Sequence, residues 1–389
     1  MLEKKYWIAV VCKFCLIITS FLVTIFLNRG LGVAGKGEYA YIINFVEMLY
    51  IIFSIGLGQC YSTFKRALGG EIKNIFVALA FIQGIAVLIL GYAIIGIRNV
   101  QFGMVIVTLT ALAVVKVIIS MIAVTEESIR RNIIQSVINL IYVLCLAGLF
   151  LVDRINLTTV LICYALNDIF TITFLMKVYH LKPVYRMIRL KLIKQLYSVG
   201  IVTMIVMLLI SINYSVDTIM LKRMSASYYV GLYSVGVNFS NMFLLIPDSF
   251  KEVLFGDSTR NSFSKRIAIN AIKVSLTASV ICLFGFIFFG KFAIKDFYGV
   301  EYVPAYYITL ILFLGSLSMI FFKILQPIYI SHGNQKKAAF FLTCSAIANI
   351  AANYFLIPRL NAIGASIASA VSYTICGMLF FLDYVKNKD

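Results

Sequence analysis

Apolar runs of roughly twenty residues recur along the whole chain, divided by short clusters of charged residues, glycine or proline. A helix that crosses a bilayer needs about 20 apolar residues, whereas a membrane barrel reads as alternating segments of about ten. The pattern therefore predicts helices, twelve of them: 7–28, 39–63, 74–97, 102–124, 133–152, 156–178, 196–221, 228–250, 266–289, 304–331, 337–357 and 361–384. The connections are short, and the longest, 179–195, is strongly basic. The opening Met1-Leu2-Glu3-Lys4-Lys5-Tyr6-Trp7 leads straight into the first run. No small-residue cleavage site precedes Asn28-Arg29, so this run is expected to stay as a span.

Composition agrees with the pattern. The chain is 62% hydrophobic and 13% charged, against about 25% charged in a soluble domain, so lipid is the solvent it fits. All eight cysteines fall inside apolar runs; Cys12 and Cys15 have C-x-x-C spacing but no histidine or carboxylate neighbour, so small buried hydrophobes are expected. Of the 34 Lys and Arg residues, 21 fall on one side of the predicted topology, nine on the other and four within spans. Cytoplasmic loops carry the excess of Lys and Arg. Both termini are thus expected in the cytoplasm, in a multi-pass membrane protein, and the net charge of +18 needs no nucleic acid to explain it.

The chain also repeats itself. Residues 24–52 aligned without gaps on 218–246 share ten of 29 positions, among them Arg29/Arg223, Gly37/Gly231, Tyr39/Tyr233 and Asn44/Asn238. The expected organisation is an N-terminal six-helix half (1–180), a basic cytoplasmic linker (181–195) and a C-terminal six-helix half (196–389). Six is even, so both halves enter the membrane in the same direction, related by a pseudo-two-fold along its normal. The fold class expected is an all-α integral membrane protein of two six-helix bundles around a midplane cavity, which is a transporter architecture.

Several segments carry a resemblance. Arg29-Gly30-Leu31-Gly32-Val33-Ala34-Gly35-Lys36-Gly37-Glu38-Tyr39, Phe297-Tyr298-Gly299-Val300-Glu301-Tyr302, Pro247 followed by Val253-Leu254-Phe255, and the hairpin with Asn349, Asn353, Leu356-Ile357-Pro358 and Gly364-Ala365 stand in order along the chain. Together they resemble the Wzx-type polysaccharide (O-antigen) flippases of the MOP superfamily. The resemblance implies a MATE-like fold and export of an undecaprenyl-pyrophosphate-linked oligosaccharide, an O-antigen or capsule repeat unit, by alternating access. It also implies neighbours in a surface-polysaccharide pathway, a polymerase and a chain-length regulator, and a chain that works as a monomer. Ser225-Ala226-Ser227 departs from the family by replacing a glycine-rich stretch, and the chain is short for the family.

A pyrophosphate and a glycan crossing about 30 Å of hydrocarbon need a wet, cationic cavity, and intramembrane charge is the place to look for it. Lys13, Lys116, Lys273 and Lys323 lie within spans; each is a candidate ligand of the pyrophosphate or a side chain snorkelling to the interface. Arg29 and Arg223 occupy equivalent outer ends of spans 1 and 7, suited to a bidentate phosphate contact or to a helix C-terminus. Glu47, Asp168 and Asp217 are candidates for H⁺ or Na⁺ coupling or for gating, the alternative for Asp168 and Asp217 being a salt bridge to an intramembrane lysine; Asp248 is expected at the interface. Pro247 and Pro327 are hinge candidates. No metal site or other cofactor is expected.

Three alternatives compete. A peptidoglycan-precursor flippase of the same superfamily usually carries two extra helices. A cation-coupled drug exporter should have an acidic cavity, which four intramembrane lysines oppose. A membrane-embedded polysaccharide polymerase or acyltransferase needs catalytic groups on a sizeable outer loop, whereas the two histidines, His180 and His332, fall near the predicted cytoplasmic face.

Overall fold

The computed structural model describes residues 4–69, 72–98, 102–185, 190–248, 265–331 and 334–386. Among them the regular elements are all helical: α1 (Lys4–Ser54), α2 (Leu57–Leu68), α3 (Ile72–Arg98), α4 (Gly103–Leu151), α5 (Leu157–Val178), α6 (Leu190–Met224), α7 (Ser227–Phe243), α8 (Lys265–Tyr298), a short 3₁₀ turn (Val300–Tyr302), α9 (Ala305–Ser331) and α10 (Gln335–Lys386). Among the described residues eight segments are long and apolar enough to cross a membrane, so the chain is a multi-pass membrane protein.

Three of these helices are about two and a half times as long as the hydrocarbon core of a bilayer is thick. A helix of 51 residues measures about 75 Å at 1.5 Å per residue, against about 30 Å of hydrocarbon. Each is broken at one residue: α1 at Gly32 (φ 65°, ψ 177°), α4 at Glu127 (φ −156°, ψ 90°) and α10 at Asn361 (φ 50°, ψ −126°). The loops expected between spans 1 and 2, 4 and 5, and 11 and 12 are thus sharp breaks in otherwise continuous helix. Gly32 and Asn361 are residue types that tolerate positive φ, and Pro358, three residues earlier, weakens the helix before Asn361. With these divisions, and with α7 as a shorter segment, the described helices are consistent with twelve spans.

The chain divides into two compact units, one of residues 1–31 and 42–208, the other of 32–41 and 209–389. The first unit's core brings Leu57 and Tyr61 of α2 onto Phe76 of α3, Ile118 and Ile122 of α4, Leu175 of α5 and Leu196 of α6. The second unit's core is aromatic: Phe380 of α10 meets Phe322 of α9 at 5.4 Å and Phe341 at 5.1 Å, both edge to face. Helix α6 starts at Leu190, inside the expected 181–195 linker, and residues 186–189 lie outside the described residues.

The repeat has a structural counterpart inside the second unit. A side chain on Gly37 would collide with the Ser227 carbonyl oxygen, and one on Gly231 with the Val33 carbonyl oxygen. Under the repeat offset, Gly231 corresponds to Gly37 and Ser227 to Val33. Equivalent positions therefore make the reciprocal contact, which is the signature of a local two-fold. Both positions must be glycine because the two backbones touch there.

Candidate functional site

Two of the four intramembrane lysines come to rest in closely similar settings. In the first unit, Lys116 of α4 donates to Asp168 of α5 across 2.7 Å. Asp168 is fully buried, while a quarter of the Lys116 side chain stays exposed. The ammonium also lies 5.5 Å from the centroid of the Tyr164 ring. Tyr164 and Asp168 are four residues apart on α5, so one helical face presents both. Glu47 of α1 lies within electrostatic reach of Lys116.

In the second unit, Lys323 of α9 pairs with Asp248 at 2.9 Å and lies 5.4 Å from the ring of Tyr214 on α6. Asp248, expected at the interface, is the partner of this lysine and keeps 37% of its side chain exposed. It sits in a helical turn that resumes after the turn at Leu244, its N–H donating to the Leu244 carbonyl at 3.1 Å. Pro247 falls in the first turn after that break, where a missing N–H costs little. Pro327 lies inside α9. The N–H it lacks is the one that would bond the Lys323 carbonyl four residues back. The helix is therefore weakened at the turn that carries the lysine.

Carboxylate, ammonium and ring meet in both clusters, although the second carboxylate oxygen of Asp168 is buried without a hydrogen-bond partner among the described residues. An unpaired lysine near mid-membrane costs about 2.5–3.5 kcal/mol; pairing removes much of that cost while leaving the lysine partly accessible.

Asp217 of α6 is held differently. It is fully buried, and neutral groups donate to it: the Tyr233 hydroxyl at 2.9 Å, the Ser369 hydroxyl at 2.7 Å and the Asn353 amide. Asn349 accepts from Asn353 at 3.0 Å, and Ser345 joins Asn213 to the Ser372 carbonyl at 2.6 and 2.8 Å. Among the described residues no Lys or Arg pairs with Asp217. The structure thus brings Asp168 and Asp248 onto lysines and leaves Asp217 in a ring of hydroxyls and amides.

The other candidates stand apart. Lys273 of α8 is exposed beside Val274. Arg29, three residues before the break at Gly32, and Arg223, in the last turn of α6, are both exposed. The side chain of Lys13 lies outside the described residues, as does His332. The sequence pattern did not single out Tyr164 and Tyr214 as ring partners, and Asn349 and Asn353 entered only through the hairpin that carries the family resemblance. Asn349 and Asn353 at a spacing of four, with Ser366, Ser369 and Ser372 at spacings of three, form polar stripes on an otherwise apolar helix; that stripe was the available signal. Outside the spans, burial raises the phenol of Tyr179, and the nearby Glu127 carboxylate adds to this.

A family model described as "Polysaccharide biosynthesis protein" matches residues 4–255. No curated protein sequence matches the chain at a significant level. Solved structures do. A lipid II flippase, MurJ, in an inward closed conformation superposes with a TM-score of 0.81 at 15% identity, covering 96% of this chain and 87% of that one. An inward-facing multidrug resistance MATE family transporter of the MOP superfamily gives 0.72 at 12% identity, covering 95% and 96%. A MOP superfamily transporter from Pyrococcus furiosus, described as having a binding pocket of reverse polarity, gives 0.62 at 11% identity, covering 98% and 92%. At these identities the likeness establishes the fold, and the fold is that of MATE and MurJ transporters.

Proposed function

The chain belongs to the polysaccharide biosynthesis protein family, and from that premise we propose that it is a flippase for an undecaprenyl-pyrophosphate-linked oligosaccharide. It would move an O-antigen or capsule repeat unit from the cytoplasmic to the outer leaflet of the bacterial inner membrane, exposing its charged residues alternately to the two sides. The observation that carries this reading is the pair of Lys–Asp–Tyr clusters, Lys116/Asp168/Tyr164 and Lys323/Asp248/Tyr214. Each is a cation held in reserve by a carboxylate, as an anionic headgroup requires. Lys13, Lys273, Arg29 and Arg223 remain further candidates for the same path. A drug exporter for cations has no use for such lysines, and transport of this kind requires no covalent chemistry.

Asp217 is our candidate for coupling to H⁺ or Na⁺. It is a buried carboxylate with neutral donors and no basic partner among the described residues, so charge arriving there changes the local energy strongly.

A peptidoglycan-precursor flippase is the second reading, favoured by the superposition on a lipid II flippase over 96% of the chain. It shares the polyprenyl diphosphate and differs in the sugar. The two are separated by reconstituting the purified protein in liposomes that carry either lipid-linked glycan in the inner leaflet and measuring delivery to the outer one. Faster delivery of the oligosaccharide repeat unit is expected. Delivery of lipid II alone would transfer the assignment, and delivery of neither would overturn the flippase reading.

A further inference from the structure

The geometry points to a docking groove for the isoprenoid tail of the substrate, on the outer face of the first unit between the second half of α4 and α5. It holds 280 Å³ and is walled by Ile133, Val137 and Ile141 of α4 and by Leu166, Phe170 and Phe174 of α5. All six keep 41–53% of their surface exposed. Within a membrane span that open surface meets hydrocarbon. On α5 the groove residues and the lysine-facing residues Tyr164 and Asp168 lie on different faces of one helix. The tail site and the Lys116 cluster are thus two sides of the same wall.

Two features of the groove select its occupant. Its charge is the first. Arg130 lies three residues before Ile133, and Lys177 lies three residues after Phe174, both exposed, Arg130 being 3.9 Å from the exposed Glu127 carboxylate. The groove therefore ends, on both helices, one turn from a cation. A hydrocarbon chain with an anionic phosphate head at that end matches it, and the positive-inside bias puts that end in the cytoplasm. Its length is the second. On α4 the lining runs from Ile133 to Cys145, about 18 Å of helix, which exceeds the ~15 Å depth of one leaflet. An acyl chain of an ordinary phospholipid stops at mid-membrane, while a polyprenyl chain continues past it. The occupant is accordingly the tail of a polyprenyl diphosphate, lying outside the protein fold while the head is presented to Lys116. This inference rests on the sugar-lipid reading above.

The test uses the full chain in liposomes with a polyprenyl diphosphate bearing a photoreactive group in its tail. Crosslinks read by mass spectrometry should fall on 133–145 and 163–174, and excess unlabelled polyprenyl diphosphate should suppress them while excess phosphatidylglycerol should not. Equal suppression by phosphatidylglycerol, or crosslinks confined to other helices, would overturn the groove. Ile141→Trp, which fills the groove from an exposed position, should raise the KM for the long-chain substrate about tenfold and leave that for a short-tailed analogue unchanged; equal effects on both would also overturn it. Transport by the unmodified chain, measured in the same liposomes, separates the two ideas. Transport without groove crosslinks removes the groove alone, and groove crosslinks without transport remove the flippase reading alone.

Discussion

Removing the ammonium from Lys116 should harm the protein more than removing the whole Lys116–Asp168 pair. The N···O distance is 2.7 Å, with Asp168 fully buried and Lys116 a quarter exposed. At an effective dielectric constant of about 20 the Coulomb attraction at that distance is about 6 kcal/mol, much of it offset by the cost of withdrawing both charges from water. Truncating one partner of a buried pair costs about 3–5 kcal/mol, because the other charge is stranded. The partial exposure of Lys116 places Lys116→Met near the lower end, about 3 kcal/mol. The double variant Lys116→Met/Asp168→Leu strands nothing, so most of that loss should return. Thermal unfolding of the purified protein in detergent measures both variants, and liposome transport measures the function separately. Stability should recover in the double variant while transport of the anionic lipid stays low, since no cation remains at the site. Full transport by the double variant would refute the cationic role of Lys116. Equal destabilisation by the single and double variants would refute the electrostatic account of the pair.

Asp217→Ala leaves the buried donors of Ser369, Asn353 and Tyr233 without their acceptor, at about 1–3 kcal/mol per group, and thermal unfolding should show it. Asp217→Asn keeps an acceptor, so the fold should survive while the response of transport to an imposed H⁺ or Na⁺ gradient disappears; an unchanged response removes Asp217 from coupling. Gly37→Ala and Gly231→Ala each place a methyl group against a backbone carbonyl. Each should destabilise by about 1–3 kcal/mol and lower the yield of folded protein, whereas Gly285→Ala, with nothing within 4 Å, should not. Pro327→Ala restores a donor to the Lys323 carbonyl, so turnover should fall with stability unchanged or raised; faster turnover would exclude Pro327 as a hinge.

The membrane, the helical class, the approximate spans and the repeat were legible in the order of residues, because each depends on local periodicity or direct matching. Apolar runs of a given length meet a solvent of fixed thickness whatever the rest of the chain does. Intramembrane lysines and acids were legible too, being rare and costly wherever they occur. Their pairing was not. Lys116 meets Asp168 from 52 residues away and Lys323 meets Asp248 from 75, and nothing local distinguishes the acid that meets a lysine from the one, Asp217, that meets Asn353 and Ser369. Nor could periodicity show that the spans around Gly32, Glu127 and Asn361 are joined by single-residue breaks, since one unusual φ/ψ pair leaves the hydrophobic pattern intact. The reciprocal contact of Gly37 and Gly231 lies between these extremes. The identity of the two glycines was visible in the repeat, but only the packing of one backbone on the other explains why neither position can carry a side chain.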